Sequence, residues 1–519
     1  MSWFTDVQIL SLVFLVSLVL IGLIQRLVAK ETLPLPPGPP RFPIVGNALS
    51  MDKAEPWNTY IAWGAKYGDI FSIRLFNQDV IVINSEEIAK DLFEKRSNNY
   101  SDRPFLSTRK PFGWELNFAF TPYGNEWRLA RRFFHQNFRA EVAPNFHPVQ
   151  MRKAYIMLHA LLETPQNFLD HLTSFTASIV MSTTFDYDTK PKNDPMLELL
   201  DKALLGLGYM TPETTALLSV FPFLMRLPGW FPGAGISRTA ALSLKYVVES
   251  VEKPLQYVRN KIETGTAEPC LVSDLMKRKE YQDETRRDEV AQAIRQVSWT
   301  AFTGGAETTS SVLMNFVLAM VLYPHVQERA YAEIKAVIGI GRLPNHNDQP
   351  SLPYIEAIVR ESIRWLPIVP LGVPHAPTNS DVYKGYHIPK GATIVANIWA
   401  MARNEAIYAK ASEFVPERFF DEEGHLLDAD GPTYSFGFGR RICPGRYVAE
   451  GSLWASIALI LTVFEISKAK DAHGDDIHFV PTFTVGLTRH PNTFPCSFTP
   501  RAGMDSDRLA QLIAESDPN

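Results

Sequence analysis

The chain has 519 residues, of which 46% are hydrophobic and 21% charged, a composition that excludes a disordered chain and predicts a large apolar core. Length alone suggests about three domains, and the net charge of -5 gives no reason to expect a nucleic-acid partner. The three cysteines form no CxxC pair and no even framework, so the folded part is expected to face a reducing compartment.

An apolar stretch, residues 7–24, lies near the N-terminus. As a helix, about 18 residues at roughly 1.5 Å each reach about 27 Å, close to the hydrocarbon thickness of a bilayer. Asp6 precedes the stretch, whereas Arg26 and Lys30 follow it, which predicts that the rest of the chain stays on the cytoplasmic side. A cleaved signal peptide is the alternative, but the basic n-region and the small-residue cleavage site are missing. We therefore predict a retained membrane anchor over residues 1–24.

The next segment, residues 25–40, is rich in proline. Because proline fixes φ and removes a backbone donor, this segment is predicted to be a stiff hinge between the anchor and one large domain over residues 41–500. A generic linker would have a similar composition. The tail over residues 501–519 is polar and is expected to be loose.

The domain is predicted to be mainly α-helical with a small β component. Apolar spacing indicates helices over residues 57–67 and 86–96, with two strands between them over residues 70–75 and 80–83. Residues 146–262 are expected to be largely helical.

Two loops are rich in aromatic or apolar residues. Residues 100–122 have no clear period and contain Phe105, Phe112, Trp114, Phe118 and Phe120, a composition that also fits an ordinary surface loop with aromatic anchors. Residues 221–233 are too apolar and too interrupted by proline for an ordinary exposed loop. We expect this second loop to dip into the membrane beside the anchor, and a buried interdomain loop is the alternative.

Residues 288–323 are predicted to form one long helix, ended by Pro324. Gly304 and Gly305 lie in its middle, where each costs about 1 kcal/mol relative to alanine. Such glycines allow a flat cofactor to approach the backbone. The Thr308 hydroxyl can then donate a hydrogen bond to a group beside the helix, and Glu307 can relay protons. A packing seam between helices, with threonines bonded to the preceding turn, is the alternative.

Other polar residues are less specific by themselves. Trp127 and Arg131 are four residues apart and therefore share a helix face, as many solvated pairs do. Glu361 and Arg364 are three apart on a helix predicted over residues 352–365, where exposed pairs are common and weak. His375 is a lone histidine of the kind that a fold usually satisfies internally.

The most informative stretch is residues 436–445, Phe-Gly-Phe-Gly-Arg-Arg-Ile-Cys-Pro-Gly. A metal-bound thiolate needs backbone N–H groups near its sulfur, and glycines allow the chain around Cys443 to curl that tightly. Arg441 would lie at the edge of a haem, whose propionates need cationic partners. Phe436 can pack near the sulfur. An inert buried cysteine in a basic loop is the alternative reading.

The spacing Phe-x-x-Gly-x-Arg-x-Cys-x-Gly resembles the haem loop of the cytochrome P450 family and matches it at every fixed position. The resemblance extends to Gly-Gly-x-Glu-Thr-Thr in the long helix, with Glu307 where many members carry Asp, to Trp-x-x-x-Arg and to Glu-x-x-Arg. It covers nearly the whole chain, and the microsomal and fungal secondary-metabolite members are the most similar.

The resemblance implies a role for each matching residue. Cys443 would ligate the iron of haem b, Phe436 would pack over its proximal face, and Thr308 and Glu307 would manage protons. The propionates would be held by Trp127, Arg131, His375 and Arg441. Glu361 and Arg364 would be buried and joined by Arg418 as scaffold. Three segments would lie at the substrate pocket, namely residues 100–122, 368–373 and 483–487.

The implied reaction is a monooxygenation of a lipophilic small molecule, for which we favour a terpenoid-type secondary metabolite; fatty acids and aromatic compounds fit an apolar pocket equally. Electrons would come from NADPH through a separate membrane reductase docking near Arg440, with cytochrome b5 as a second candidate donor. The implied location is the endoplasmic reticulum membrane, with the catalytic domain cytoplasmic. A haem-thiolate isomerase or dehydratase that needs no reductase, and a haem-based sensor, remain as alternatives.

Overall fold

The computed structural model describes residues 33–190, 193–227, 230–231, 234–427 and 431–516. The predicted anchor and the first half of the hinge, residues 25–32, lie outside these residues. The helices are α1 Pro56–Tyr67, α2 Glu86–Lys90, α3 Ser97–Tyr100, α4 Asn125–Phe138, α5 His147–Glu163, α6 Phe168–Phe185, α7 Pro195–Leu204, α8 Pro212–Val220, α9 Gly235–Glu263, α10 Leu271–Met276, α11 Lys279–Gln282, α12 Arg287–Leu322, α13 Pro324–Val337, α14 Pro353–Trp365, α15 Ile398–Ala402, α16 Arg446–Val463 and α17 Ser506–Ser516. The strands are β1 Ile70–Leu75, β2 Gln78–Ile83, β3 Asp381–Tyr383, β4 Tyr386–Ile388, β5 Thr393–Ala396, β6 Phe464–Lys468 and β7 Cys496–Pro500. The prediction of a mainly helical chain with a small β component is confirmed.

The strands form three small sheets. In the largest, β1 pairs antiparallel with β2, with Ile70 opposite Ile83, and β2 pairs parallel with β5, with Val80 opposite Thr393. The other two sheets are the antiparallel pairs β3–β4 and β6–β7. The five β1 positions other than Arg74 are buried, which is expected for a strand that is covered on both faces.

Helix α12 passes through the centre of the domain. It packs against α4, α6, α9, α14 and α16, and most of its length is buried. Among the described helices it alone is long and apolar enough to cross a membrane, but 78% of its apolar window is buried inside the protein. Its hydrophobicity therefore reflects a position in the core.

The pair of Glu361 and Arg364 in α14 is buried, as the resemblance implied. The Arg364 Nε lies 2.7 Å from Glu361 Oε2, both side chains are 0% exposed, and Arg418 Nε lies 3.1 Å from Glu361 Oε1. Arg364 also donates to the carbonyls of Ala402 and Ala411. These bonds connect α14 to residues 402–418, the segment that precedes the Cys443 loop.

Two other segments differ from a simple reading of the sequence. The helix expected over residues 86–96 changes after Lys90 into a π-helical turn, Asp91–Lys95. The polar tail from residue 501 was expected to be loose, which is wrong for α17. Leu509 and Leu512 in this helix are fully buried against the core because their spacing of three places both on one helix face.

The apolar loop at residues 221–233 is described at 221–227 and 230–231. Three of its aromatic side chains are exposed: Trp230 is 81% exposed, Phe223 57% and Phe231 44%. The alternative of a buried interdomain loop is therefore wrong for these side chains. The aromatic residues of the segment 100–122 behave in the opposite way, since all of those noted in the sequence except Phe105 are buried.

Candidate active site

The loop that carries Cys443 is held in a tight curl by its own backbone. The Cys443 N–H donates to the Phe436 carbonyl over 2.8 Å. Gly437 and Gly439 have φ of 83° and 53°, values that L side chains rarely adopt. A Cβ on Gly439 would lie 2.0 Å from the Phe93 carbonyl oxygen, which belongs to the π-helical turn. The glycines therefore permit both the turn and the close approach of a neighbouring backbone.

The surroundings of Cys443 act on its thiol in two directions. Burial raises its pKa, whereas the Gly445 backbone N–H and the Arg131 guanidinium lower it. Arg131 comes from α4 and donates from Nη1 to the Ile442 carbonyl over 2.6 Å, directly beside the cysteine. Helix α16 begins at Arg446, so the partial positive charge of its N-terminus also lies close to the sulfur. These donors are the kind that a metal-bound thiolate requires.

Arg441 lies inside the protein over an aromatic ring. Its guanidinium carbon is 4.3 Å from the ring centroid of Trp127, and its Nε and Nη2 donate to the carbonyls of Ser101 and Thr121 over 2.8 and 2.9 Å. The third nitrogen, Nη1, is buried without a hydrogen-bond partner among the described residues. Burial and the neighbouring Arg103 lower the pKa of Arg441 to about 8.

His375 lies in the same cluster. Its Nδ1 donates to the Tyr100 carbonyl over 2.8 Å, and its ring stacks on Phe93 with centroids 4.1 Å apart. Burial, followed by the charges of Arg103 and Arg441, keeps its pKa well below the usual range, so the ring is neutral. Since Nδ1 is committed to a carbonyl, Nε2 is the nitrogen left for another partner.

Arg103 is a site residue that the sequence analysis missed. It is 8% exposed and donates from Nη1 to the carbonyls of Val373 and Pro374, both over 2.7 Å, and from Nε to the Ala119 carbonyl. Burial lowers its pKa to about 9. A charged residue directly before Pro104, within an aromatic-rich loop, was the one local signal available.

The two glycines in α12 do different things. A Cβ on Gly305 would lie 2.6 Å from Val180 Cγ2 of α6, so this glycine allows the two helices to pack closely. A Cβ on Gly304 would meet no atom within 4 Å, and the residue is exposed although its helix is central. The packing-seam alternative thus describes Gly305, whereas Gly304 leaves the backbone of α12 open to a flat group.

Thr308 and Glu307 follow one turn later. The Thr308 hydroxyl donates to the Gly304 carbonyl over 2.5 Å, so its oxygen is free to accept a further bond. Glu307 Oε1 accepts from the Thr488 hydroxyl over 2.5 Å. Burial raises the Glu307 pKa, while the Thr488 hydroxyl and the charge of His490 lower it. Thr488 was not identified in the sequence, because it lies far from Glu307 along the chain.

The predicted site residues therefore form two groups. Around the Cys443 loop the structure brings together Phe436, Cys443, Arg441, Trp127, Arg131 and His375. Glu307 and Thr308 lie on the central helix, and no hydrogen bond or ion pair joins their side chains to the loop within the described part of the chain. The two groups belong to elements in contact, since α12 packs against α4 and α16.

Comparisons with known proteins agree with this arrangement. Residues 36–495 match the sequence profile of the cytochrome P450 family. The chain is 37% identical over 471 residues to cytochrome P450 monooxygenase ple1 of Rhodocybe pseudopiperita, covering 90% of each chain. It is 37% identical over 489 residues to cytochrome P450 monooxygenase claR of Ampulloclitocybe clavipes, covering 93% of this chain and 90% of that one. It is 34% identical over 499 residues to tryptamine 4-monooxygenase of Psilocybe cyanescens, covering 94% and 98%. The chain belongs to the cytochrome P450 family and is a monooxygenase of fungal type, an oxidoreductase.

Proposed function

We propose that this monooxygenase holds haem b through the Cys443 thiolate and oxidises a lipophilic small molecule, of the terpenoid secondary-metabolite class. The observation that carries the cofactor assignment is the excess of buried positive charge beside the Cys443 loop. Arg103 and Arg131 both lower the pKa of Arg441, whereas the Asp102 carboxylate raises it. None of the three arginines forms an ion pair with a carboxylate in the described ranges. Buried charges of this kind require a counter-ion.

The residues present fit haem. Its two propionates would neutralise the arginine cluster, and the buried Arg441 Nη1 is a donor that no other described residue satisfies. Arg131, Arg441, Trp127 and the free nitrogen of His375 would hold these propionates, while Phe436 packs on the side of the sulfur. A thiolate ligand would push electron density onto the iron and favour cleavage of the O–O bond; with two electrons from the reductase and two protons, one oxygen atom would enter the substrate and the other would leave as water.

Thr308 and Glu307 would manage the protons of this reaction. The bond from Thr308 to the Gly304 carbonyl fixes the position of its hydroxyl oxygen on the open side of α12. Because burial raises the Glu307 pKa, this carboxyl keeps a proton at higher pH than an exposed glutamate and can donate it. The protein thus places a hydroxyl and a proton donor on adjacent residues of one helix.

The lipophilic substrate class rests on an apolar cluster beside the central helix. Phe112, Trp114, Phe120 and Met210 form this cluster, and Leu487 packs against it. The ring centroid of Trp114 lies 6.1 Å from that of Trp299 in α12. Such a lining suits hydrocarbons and disfavours charged ligands. The terpenoid assignment within this class is tested by an optical titration with a panel of ligands, described below.

Electrons would come from NADPH through a membrane-bound cytochrome P450 reductase, with cytochrome b5 as a second donor. A basic surface near the Cys443 loop supports this docking: Arg128 and Arg440 are exposed, and their guanidinium carbons lie 5.3 and 5.6 Å from the Tyr123 ring centroid. We further propose that the N-terminal segment anchors the enzyme in the endoplasmic reticulum membrane with its catalytic domain in the cytoplasm. The exposed Trp230, Phe223 and Phe231 would face the lipid.

An optical titration of the haem-loaded protein tests the function. Terpene hydrocarbons and alcohols, fatty acids and aromatic amines would be added while the Soret band is followed. A shift towards high spin with terpenoids supports the proposal, whereas a shift with fatty acids or aromatic compounds alone would replace the substrate class.

A second experiment separates a monooxygenase from an isomerase or dehydratase. The Thr308→Ala variant is expected to bind haem normally but to divert NADPH-derived electrons into hydrogen peroxide. The matched control is Thr183→Ala, since Thr183 makes the same type of bond to the preceding turn of α6, to the Ile179 carbonyl over 2.8 Å. Product formation that needs no NADPH in the wild type would contradict the monooxygenase reading of this chain.

A further inference from the structure

The hydrogen bond between Thr488 and Glu307 connects two parts of the protein that are 181 residues apart. Thr488 lies in the segment between β6 and β7, directly after residues 483–487. Its hydroxyl donates to Glu307 Oε1 over 2.5 Å, a length typical of a charge-assisted O–H···O bond. In the described part of the chain, this is the one side-chain bond that the Glu307 carboxyl makes.

The backbone around Thr488 is fixed by its neighbour. Arg489 is 6% exposed, and its guanidinium carbon lies 3.7 Å from the Phe483 ring centroid and 4.9 Å from that of Trp399. Its Nη2 bonds Glu55 over 3.0 Å, and its N–H donates to the Ile368 carbonyl over 2.7 Å. Arg489 therefore acts as an anchor that holds the preceding residue against α12.

The residue before Thr488 contacts the apolar cluster assigned to the substrate. Leu487 packs against this cluster, which includes Trp114 and Met210. Thr484 and His490 close the segment, since the Thr484 N–H donates to the His490 carbonyl over 2.9 Å and the His490 N–H donates to Thr484 Oγ1 over 3.1 Å. One short, closed segment thus contacts both the apolar cluster and the proton donor.

We propose that Thr488 is a positioning residue for Glu307. Its hydroxyl holds the Glu307 carboxyl in one rotamer, from which the carboxyl delivers its proton. This inference rests on the proposed function, because Glu307 delivers protons only if the haem reaction takes place. It adds a third side chain, from the C-terminal segment, to the pair on α12. The segment that contacts the apolar cluster is thereby connected to proton delivery through one hydroxyl.

The groups around Glu307 determine the direction in which its pKa changes when the Thr488 hydroxyl is removed. Its facing titratable groups are His490, on the same segment as Thr488, and Asp201 of α7; the first lowers the Glu307 pKa and the second raises it. The Thr488 hydroxyl donates to the carboxylate and so favours the ionised form. Removal of the hydroxyl leaves burial as the dominant influence, so the Glu307 pKa must rise.

The test uses three variants of the full chain. Thr488→Val keeps the shape of the side chain but removes the donor, and Thr488→Ser restores a hydroxyl. The matched control is Thr482→Val, an exposed threonine of the same segment that bonds Asn492 instead. The carboxyl band of Glu307, identified by its loss in Glu307→Gln, is titrated by infrared spectroscopy in each variant, and the pH profile and peroxide yield of turnover are recorded.

The inference predicts that Thr488→Val shifts the infrared titration of Glu307 to higher pH, together with the limb of the pH profile of turnover that Glu307 controls. The fraction of electrons lost to peroxide should at least double. Thr488→Ser should resemble the wild type, and so should Thr482→Val. Coincident infrared titrations of wild type and Thr488→Val would overturn the inference. If the wild-type protein forms no thiolate haem spectrum, the proposed function fails, but the infrared titration still decides whether Thr488 controls Glu307.

Discussion

The guanidinium carbon of Arg441 lies 4.3 Å from the ring centroid of Trp127, and two of its three nitrogens bond backbone carbonyls. The remaining nitrogen, Nη1, is buried and has no partner in the described ranges. The ring and the carbonyls fix the guanidinium plane, so Nη1 points in one direction only. A side chain fixed in this way is prepared for a planar anionic partner.

Replacement of Arg441 should therefore weaken haem binding. In Arg441→Gln the charge is lost while one carbonyl bond can be kept. A hydrogen bond to a charged group contributes about 1.5–3 kcal/mol, so haem should dissociate roughly ten- to a hundredfold faster. Transfer of haem to an acceptor apoprotein measures this rate. Arg440→Gln, at the exposed neighbouring position, is the control and should stay close to wild type; equal rates for both variants would contradict the assignment.

The backbone of the Cys443 loop can be tested at two glycines. In Gly439→Ala the new Cβ meets the Phe93 carbonyl oxygen at 2.0 Å and the residue keeps a φ of 53°, so strain of about 1–3 kcal/mol adds to a backbone clash. We expect most of the haem-loaded protein to be lost. Gly445→Ala meets Cys443 Sγ at an ordinary 4.0 Å and should load haem. Haem content per folded protein checks both variants, and a normal yield for Gly439→Ala would contradict the loop geometry.

Alanine substitutions at Gly304 and Gly305 should have different effects. The substitution at Gly305 should lower stability, whereas the one at Gly304 should disturb contact with the cofactor. Gly305→Ala forces a methyl group to within 2.6 Å of Val180, and such overpacking typically costs about 1–3 kcal/mol in the free energy of unfolding. In Gly304→Ala the new Cβ has no atom of the described residues within 4 Å beyond its own helix turn, and the helix gains about 1 kcal/mol of propensity. Urea unfolding should thus distinguish the two variants. Gly304→Ala should nevertheless alter the visible spectrum of the haem-loaded protein, whereas an unchanged spectrum would show that no flat group lies against Gly304.

A stacked pair of histidines predicts a pH dependence of stability. The rings of His346 and His147 are 3.6 Å apart and nearly parallel, and His346 Nε2 bonds the Gly451 carbonyl. Burial and the neighbouring His147 lower the His346 pKa to about 4, below its unfolded value near 6.5. The unfolded state therefore binds the proton first, so stability is lost progressively as the pH falls from about 6.5 to about 4.

At pH 5 this loss corresponds to about 2 kcal/mol in the free energy of unfolding. His346→Gln, which can keep a bond to the Gly451 carbonyl, should remove that part of the pH dependence. His473→Gln, at an exposed position, serves as the control and should leave it in place. Denaturant unfolding at pH 7.5 and pH 5 gives the free energy of unfolding at each pH. The same loss of stability between these pH values in wild type and His346→Gln would refute the prediction.

The sequence revealed elements whose signal is local. Strand β1 occupies the predicted residues, and α1, α12 and α14 begin and end within one residue of the prediction, because proline and apolar periodicity mark these boundaries. The π-helical turn Asp91–Lys95 was missed because it depends on packing against the Cys443 loop, which is distant in sequence. Helix α17 was missed because its two buried leucines stand in an otherwise polar tail.

The same reasoning explains which site residues were found. Cys443, Arg441, Thr308 and Glu307 lie in compact motifs, so the spacing of these motifs and their resemblance to the family made them candidates. Arg103 and Thr488 have no motif, since their partners lie 270 and 181 residues away. Long-range bonds of this kind follow from tertiary packing, and a single sequence carries no local pattern for them.

The central claim is that the Cys443 thiolate is the iron ligand, and the reduced carbon monoxide spectrum tests it most directly. Wild type, Cys443→Ser and Cys496→Ser would be compared at equal haem content, with the half-buried Cys496 as the control. We predict a thiolate-type spectrum for wild type and Cys496→Ser and its complete loss in Cys443→Ser. A thiolate-type spectrum that survives in Cys443→Ser, or its absence from folded, haem-loaded wild type, would contradict the account.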